Sequence, residues 1–362
     1  MKMLLHYRIN RTLLLKTAAL ILAVVITALS FASCAEKKDE LPTAFEYEGY
    51  KIDSGLYAYI LSSKKTDFLY LLSEYQISQS GYSTVLDNEQ FWATVPDSED
   101  ERDYAARVTA DITDYCKRIV VTLALCDKYG IKCDDETYVS EIDQAMLDNE
   151  NEFGGEAQLN KFLLKYGMLA EDLESYFYME YKIYALQEHL YGSEGKQKIA
   201  STEVAKLFEE TYVKVKNVYL PYSDSNDETV KAETLANAQA LIAELEAGTK
   251  DMDTEYKETE DSLYEYYPDG WLFKVGETYE AFEKAAFEAE VGDYFTVTSA
   301  AGVYVVKKEK LTSSDLENYY STVEETLIAD AYYEYVSQYY SSVYVNNGEI
   351  SKYDIVTAET FN

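Results

Sequence analysis

The sequence predicts an α+β protein: an all-helical domain, made of N-terminal helices and a last helix, with an antiparallel α+β unit inserted between them. Three observations predict it. Apolar residues recur at three- and four-residue steps, with glycine stops, from about residue 55 to 205. The period then falls to two at residues 213–222, 294–299 and 303–310. It returns to the helical spacing after residue 312. A change of period marks a change of element type, because helices repeat every 3.6 residues and strands every two.

In chain order, AFEYEGYKI alternates and reads as a short strand. Asp53 and Ser54 then offer N-cap oxygens to a helix from Gly55 to about Tyr75. Residues 81–103 are polar and turn-rich and read as an irregular excursion. Ala105, Val108, Ile112, Tyr115, Ile119, Thr122, Cys126 and Tyr129 form the clearest helical stripe, stopped by Gly130. Asp134 and Asp135 start the next helix, which closes before Gly154-Gly155. EAQLNKFLLKYG ends at Gly167, and AEDLESYFYMEYKIYALQEHLYG ends at Gly192. STEVAKLFEETY is a short helix leading into VKVKNVYLPY, an alternating strand closed by Pro221. A long helix follows, from a cap at Asp224–Glu228 to Gly248. After the acidic, aromatic stretch 256–268 and DGWLF come the helix YEAFEKAAFEAE and two strands, YFTVTS and VYVVKKEK. This is a β-α-loop-α-β-β unit of about 100 residues. The last helix carries Leu316, Tyr320, Val323, Leu327 and Ala331 on one face, needs a partner, and packs back on the N-terminal helices; ISKYDIVTA is a short alternating tail.

Composition narrows the function. The chain is 47% hydrophobic, with 37 Tyr and 13 Phe, too apolar for a disordered acidic segment. Lys2, Arg8, Arg11 and Lys16 precede an uncharged apolar run, residues 17–33. This layout is that of an export signal. The small residues Ala32 and Ser33 directly before Cys34 resemble the bacterial lipobox, with Phe31 where Leu, Val or Ile is usual. The resemblance implies cleavage before Cys34 and a lipid on its thiol, which holds the chain on the outer face of the bacterial cytoplasmic membrane; two acyl chains suffice for a stable anchor. Losing the four positive charges of residues 1–33 takes the net charge from -34 to -38. Such acidity repels nucleic acid and anionic lipid, so nucleic-acid binding is excluded.

His6 leaves with the signal, so His189 is the one imidazole of the mature chain. That excludes multi-His metal sites, and at the end of a helical stretch His189 reads as a C-terminal cation or a packed ring. No metal and no cofactor is expected. The acidic runs DNENEFGGE and SDSNDE lack the ligand periodicity of a calcium loop and read as solvated loops or caps. Cys126 reads as a buried small hydrophobe; whether it pairs with Cys133 is left open by the spacing.

The order of landmarks resembles the extracytoplasmic parvulin-type foldases, the PrsA and SurA group, over most of the mature chain. In the helical part the landmarks are YEGYKIDSGLYAYIL, KYGIKCDDETYVSEI and FGGEAQLNKFLLKYGM. In the insert they are VKVKNVYLP, NAQALIAELEAGTK and DGWLFKVGETYEAFEKAAFEAEVGDYFTVTSAAGVYVVKKEK. The resemblance implies a signal peptide (1–33), a lipidated linker (34–44), a SurA-like helical chaperone domain (45–205), a parvulin-like domain (206–311) and a C-terminal helix with tail (312–362).

The departures bear on the chemistry. Active members carry a His in the first strand and another in the last; here these positions are Asn217 and Tyr304, expected to bond each other. The family's Cys or Asp falls near Thr259 or Glu260, and the pocket Met is matched by Thr278. The pocket Phe is kept as Phe282, the next core aromatic as Phe287, and Tyr219, Trp271 and Phe273 complete the expected substrate-binding set. The implied function is a membrane-tethered chaperone that binds unfolded secreted polypeptides, its isomerase domain weak or inactive. An active peptidyl-prolyl isomerase and a non-catalytic envelope scaffold or peptide-binding lipoprotein are the alternatives.

Overall fold

A computed structural model describes residues 41–96, 100–132 and 136–361. The leader, Cys34, Cys133 and the Asp134-Asp135 helix start lie outside them. The described residues form two units, one of residues up to 77, 82–199 and from 326 onward, the other of residues 78–81 and 200–325. None of the described helices is long and apolar enough to cross a membrane.

The first unit opens on a hairpin, not on the single strand expected for AFEYEGYKI. Strands β1 (Thr43–Tyr47) and β2 (Tyr50–Asp53) pair antiparallel. Glu48 and Gly49 both take positive φ, 47° and 89°, which turns the chain within two residues. Helix α1 (Ser54–Ser80) starts where the Asp53 carboxylate accepts the N–H groups of Gly55 and Leu56 at 3.0 and 2.9 Å. The excursion after it contains a helical turn, α2 (Glu89–Trp92), which the polar sequence concealed. Its driving force is Trp92, wholly buried among Phe68 and Phe91.

Helix α3 (Tyr104–Tyr129) is capped by Asp103 and stopped by Gly130 at φ 68°. Then come α4 (Glu136–Phe153), α5 (Glu156–Leu163) with a 3-10 turn at Leu164–Tyr166, and α6 (Ala170–Tyr191). Cys126 is buried on α3, its thiol donating to the Lys182 carbonyl of α6 at 3.5 Å. The His189 ring lies 5.2 Å from Tyr129, at the end of α6.

The second unit begins with α7 (Ser201–Thr211), which runs directly into β3 (Tyr212–Pro221). Asp227 caps α8 (Glu228–Glu246), followed by the short helices α9 (Met252–Glu258) and α10 (Leu263–Tyr266). Strand β4 (Trp271–Lys274), helix α11 (Glu280–Glu288) and strands β5 (Tyr294–Thr298) and β6 (Gly302–Glu309) complete it. The sheet is antiparallel in the order β4-β3-β6-β5. It thus has four strands where the sequence reading has three, because four residues of WLFK are too few to display an alternation. Helix α8 covers one face through Ala238, Leu241 and Leu245, packed with Val218, Val303 and Val305. Helix α11 covers the other through Phe282 and Ala286, packed with Val213, Val215, Phe273 and Val306.

Helix α12 (Ser313–Ser337) is shared out between the units at residue 325. Within the first unit, Tyr332 and Thr122 share a hydroxyl–hydroxyl bond, and Tyr191 donates to the Ala331 carbonyl at 3.0 Å. A two-residue strand, β7 (Tyr344–Val345), joins β1 on the side away from β2. The segment ISKYDIVTA does not alternate as a strand. It leaves α13 (Asn347–Ile350) and turns at Asp354, whose carboxylate accepts the Val356 N–H at 2.9 Å.

Candidate functional site

The expected site residues gather on the face of the second unit's sheet that α11 covers. Strand alternation puts Val213, Val215, Asn217 and Tyr219 of β3 on that face. Their partners across the sheet fix the rest: Val213 faces Phe273, Val215 faces Trp271, Asn217 faces Val306 and Tyr219 faces Tyr304. Tyr304 is therefore diagonal to Asn217, two residues along.

Asn217 is completely buried, and its bond does not run to Tyr304. Its Nδ2 donates to Asp261 Oδ2 at 3.0 Å. The reason is the shortness of β4. Its pairing with β3 ends at Val215, and the loop after α9 takes over the open edge. Thr259 Oγ1 accepts the Tyr219 N–H at 2.8 Å, and Asp261 Oδ1 accepts the Leu263 N–H at 3.1 Å. Thr259 is thus a backbone cap on β3, and the carboxylate of the site is Asp261, one residue beyond the Thr259–Glu260 pair expected. Nothing in ETEDS singles out one of its three acids; only the strand edge does. Among the described residues no donor reaches Asn217 Oδ1.

Aromatic rings fill the space above this floor. Phe282 is 1% exposed, with ring centroids of Tyr279 and Tyr304 at 5.7 Å, Trp271 at 5.8 Å and Phe273 at 5.9 Å. Tyr219 and Tyr304 lie 4.8 Å apart, and Phe287 meets Phe273 edge-on at 6.2 Å. Thr278 stands half-buried in the turn before α11, outside this ring cluster. Gly302 lets β6 approach here: a Cβ on it would meet the Leu220 carbonyl at 2.5 Å and the Tyr219 ring at 2.6 Å.

The electrostatics favour neutral tyrosines around one carboxylate. Burial, then Asp261, then Tyr219, pushes the Tyr304 hydroxyl up from its ordinary value. Burial also raises Tyr279, whose hydroxyl has no partner among the described residues, and Tyr219, where Asp261 and Glu260 add to the effect. Burial and Asp261 push Tyr256 up to about 12. At neutral pH these phenols are donors, and the site offers no imidazole. A surface hollow of about 600 Å³ in the same unit is lined by Lys216, Asp253, Tyr256, Tyr264 and Pro268 among others, with none of the expected site residues in its wall.

Comparisons with known proteins follow this geometry. Residues 197–310 match the PPIC-type PPIase domain family. No curated protein matches the chain. Among solved structures, it is similar to the foldase protein PrsA of Streptococcus pneumoniae at 18% identity, covering 71% of this chain and 97% of that one, with a TM-score of 0.31. The peptidylprolyl isomerase PrsA of Bacillus cereus matches at 17% identity, 71% and 94% coverage and a TM-score of 0.33. The foldase protein PrsA of Lactococcus lactis matches at 13% identity, 86% and 98% coverage and a TM-score of 0.28. Residues 197–310 of this chain are thus similar to the PPIC-type PPIase domain.

Proposed function

We propose that this protein is a parvulin-type foldase that holds unfolded secreted polypeptides at the outer face of a membrane, tethered through a lipid on Cys34, with an isomerase domain of weak or lost activity. The observation that carries the reading is the filled site: Phe282 is 1% exposed beneath Tyr279, Tyr304 and Trp271, over a floor of Asn217 and Asp261. Prolyl isomerisation lowers an amide rotation barrier of roughly 18–20 kcal/mol. It needs a pocket that grips the proline ring and donors aligned on the distorted amide. The close packing of Tyr279, Tyr304 and Trp271 about Phe282 supports the reading of weak or lost activity. So does Asn217 in place of an imidazole, since loss of an aligned donor costs about 10²–10³ in rate.

The polypeptide-holding part of the reading draws support from the domain match, from the export signal and from the abundance of tyrosine. Tyrosine joins a large apolar ring to a polar tip and suits surfaces that accept varied sequences. The test is a pair of measurements on the mature chain. It suppresses aggregation of a reduced, unfolded client at stoichiometric ratio, and it leaves the cis-to-trans rate of a proline tetrapeptide at the uncatalysed value. A clear rate increase at micromolar protein establishes the active-isomerase reading, which the domain match favours. Failure to suppress aggregation removes the polypeptide-holding reading. Crosslinking that recovers a single partner supports a scaffold in its place. Metabolic labelling with a fatty acid, lost in Cys34→Ser, tests the tether.

A further inference from the structure

The last described residues sit in a groove of the helical unit in the manner of a bound peptide. Lys65 of α1 is 1% exposed, and its ammonium donates to the Val356 carbonyl at 3.1 Å and the Ala358 carbonyl at 2.8 Å. It also pairs with Asp87 at 2.9 Å, over the Trp92 ring at 5.5 Å. One turn position on, Thr66 Oγ1 accepts the Phe361 N–H at 2.8 Å while donating to the Ser62 carbonyl at 2.9 Å. The Phe361 ring enters an aromatic slot with Tyr59, Phe162 and Tyr166 at 5.2, 5.4 and 6.1 Å. Ile355, 2% exposed, is the second apolar anchor, and Glu359 pairs with Lys165 at the exposed rim.

Most polar contacts in this groove are to main-chain atoms: two carbonyls and one N–H. Such contacts do not read sequence; selection is left to the aromatic slot and to the buried site of Ile355. A helix interior has its carbonyls already paired and presents nothing to Lys65, so the groove suits a segment outside helical structure. Its walls are also ill at ease when empty. Withdrawing the segment would leave the Lys65 ammonium with Asp87 as its one remaining acceptor among the described residues and would bare the three rings of the slot, both unfavourable.

We propose that this groove is a polypeptide-binding site, filled in the resting protein by residues 355–361, which yield to an incoming irregular segment carrying an aromatic side chain. The inference rests on the polypeptide-holding reading only in naming that incoming segment as part of an unfolded client.

The test uses a fluorescein-labelled peptide of residues 353–362, read by anisotropy against the mature chain, its Phe361→Ala variant and a chain ended after Asp354. The peptide should bind both altered chains at least about tenfold more tightly than the native one. The same peptide with Ala in place of its Phe should lose about tenfold in affinity. Phe361→Ala keeps the main-chain contacts, so it carries the test if the shortened chain fails to fold by circular dichroism. Equal affinity for native and Phe361→Ala chains, or indifference of the peptide to its aromatic, overturns the proposal. Aggregation suppression is measured in parallel. Suppression without peptide binding removes the groove and leaves the foldase reading; peptide binding without suppression does the reverse.

Discussion

Tyr219 and Tyr304 face each other across the β3–β6 ladder with ring centroids 4.8 Å apart, and this register sends the Asn217 carboxamide to Asp261. The Asn217–Asp261 bond is then the polar anchor of a buried floor. Asp261→Ala leaves a completely buried carboxamide without its acceptor and should destabilise the second unit by about 1–3 kcal/mol. Removing both partners as Asn217→Val with Asp261→Ala should recover much of that loss, because no polar group is then stranded. Urea unfolding followed by Trp271 fluorescence in a Trp92→Phe background checks it. A double variant no more stable than Asp261→Ala alone would contradict the assignment.

Phe282 belongs, on this geometry, to the core. Truncation to Ala removes a ring held by four other aromatic rings and should cost about 3–5 kcal/mol. The same unfolding experiment reads it as a fall in midpoint. A drop in any residual isomerase rate without that fall would mean Phe282 contacts substrate instead.

The long helices were legible where the sequence carries punctuation: Asp53 as a cap, Gly130 as a left-handed stop. Phe282, Trp271 and Tyr304 could be placed together because the resemblance to the parvulin-type foldases aligns them; the β3–β6 pairing and the cover of helix α11 bring them side by side. What escaped depended on distant partners. Strand β4 exists because β3 offers it an edge, and Asp261 matters because β4 ends too early to cover Asn217. Turn α2 rests on the burial of one tryptophan, and the course of residues 354–361 rests on Lys65, almost 300 residues away in sequence. No period or composition encodes such contacts.

Acid should weaken the second unit through Asp315. Burial opposes ionisation of this carboxyl, but bonds from Thr312 and the Lys214 ammonium at 2.9 Å outweigh it and hold Asp315 below the usual carboxylate range. A depressed pKa stabilises the fold above the unfolded value, about 3.9, and that contribution disappears as pH falls through the folded value. Asp253, lowered by its bond to Lys216, acts in the same sense. The unfolding midpoint should therefore drop below about pH 4. Asp315→Asn should cost about 1–2 kcal/mol at pH 7 and flatten that drop. An unchanged acid slope in Asp315→Asn would exclude Lys214–Asp315 as its source.

Alkali should act on the helical unit through a different cluster. Glu180, buried on α6, accepts hydrogen bonds from Tyr115 and, at 2.8 Å, from Tyr176, whose hydroxyls also lie 2.9 Å from each other. Burial first, then the Glu180 charge, raises both phenols well above their ordinary values. Burial raises Tyr59 and Tyr332 in the same unit as well. A raised pKa stabilises the fold below the unfolded value, about 10 for tyrosine, and that contribution is lost as pH climbs toward the folded value. Thermal stability should thus be level up to about pH 10 and fall steeply above it. Tyr176→Phe removes one donor and one titrating group, so it should lower stability by about 1 kcal/mol at pH 7 and make the alkaline fall shallower. Glu180→Ala strands two buried phenols with only each other, and its cost should be larger, about 2–4 kcal/mol. Melting curves from pH 7 to 11 distinguish the cases; parallel alkaline slopes for native and Tyr176→Phe chains would refute the role given to this cluster.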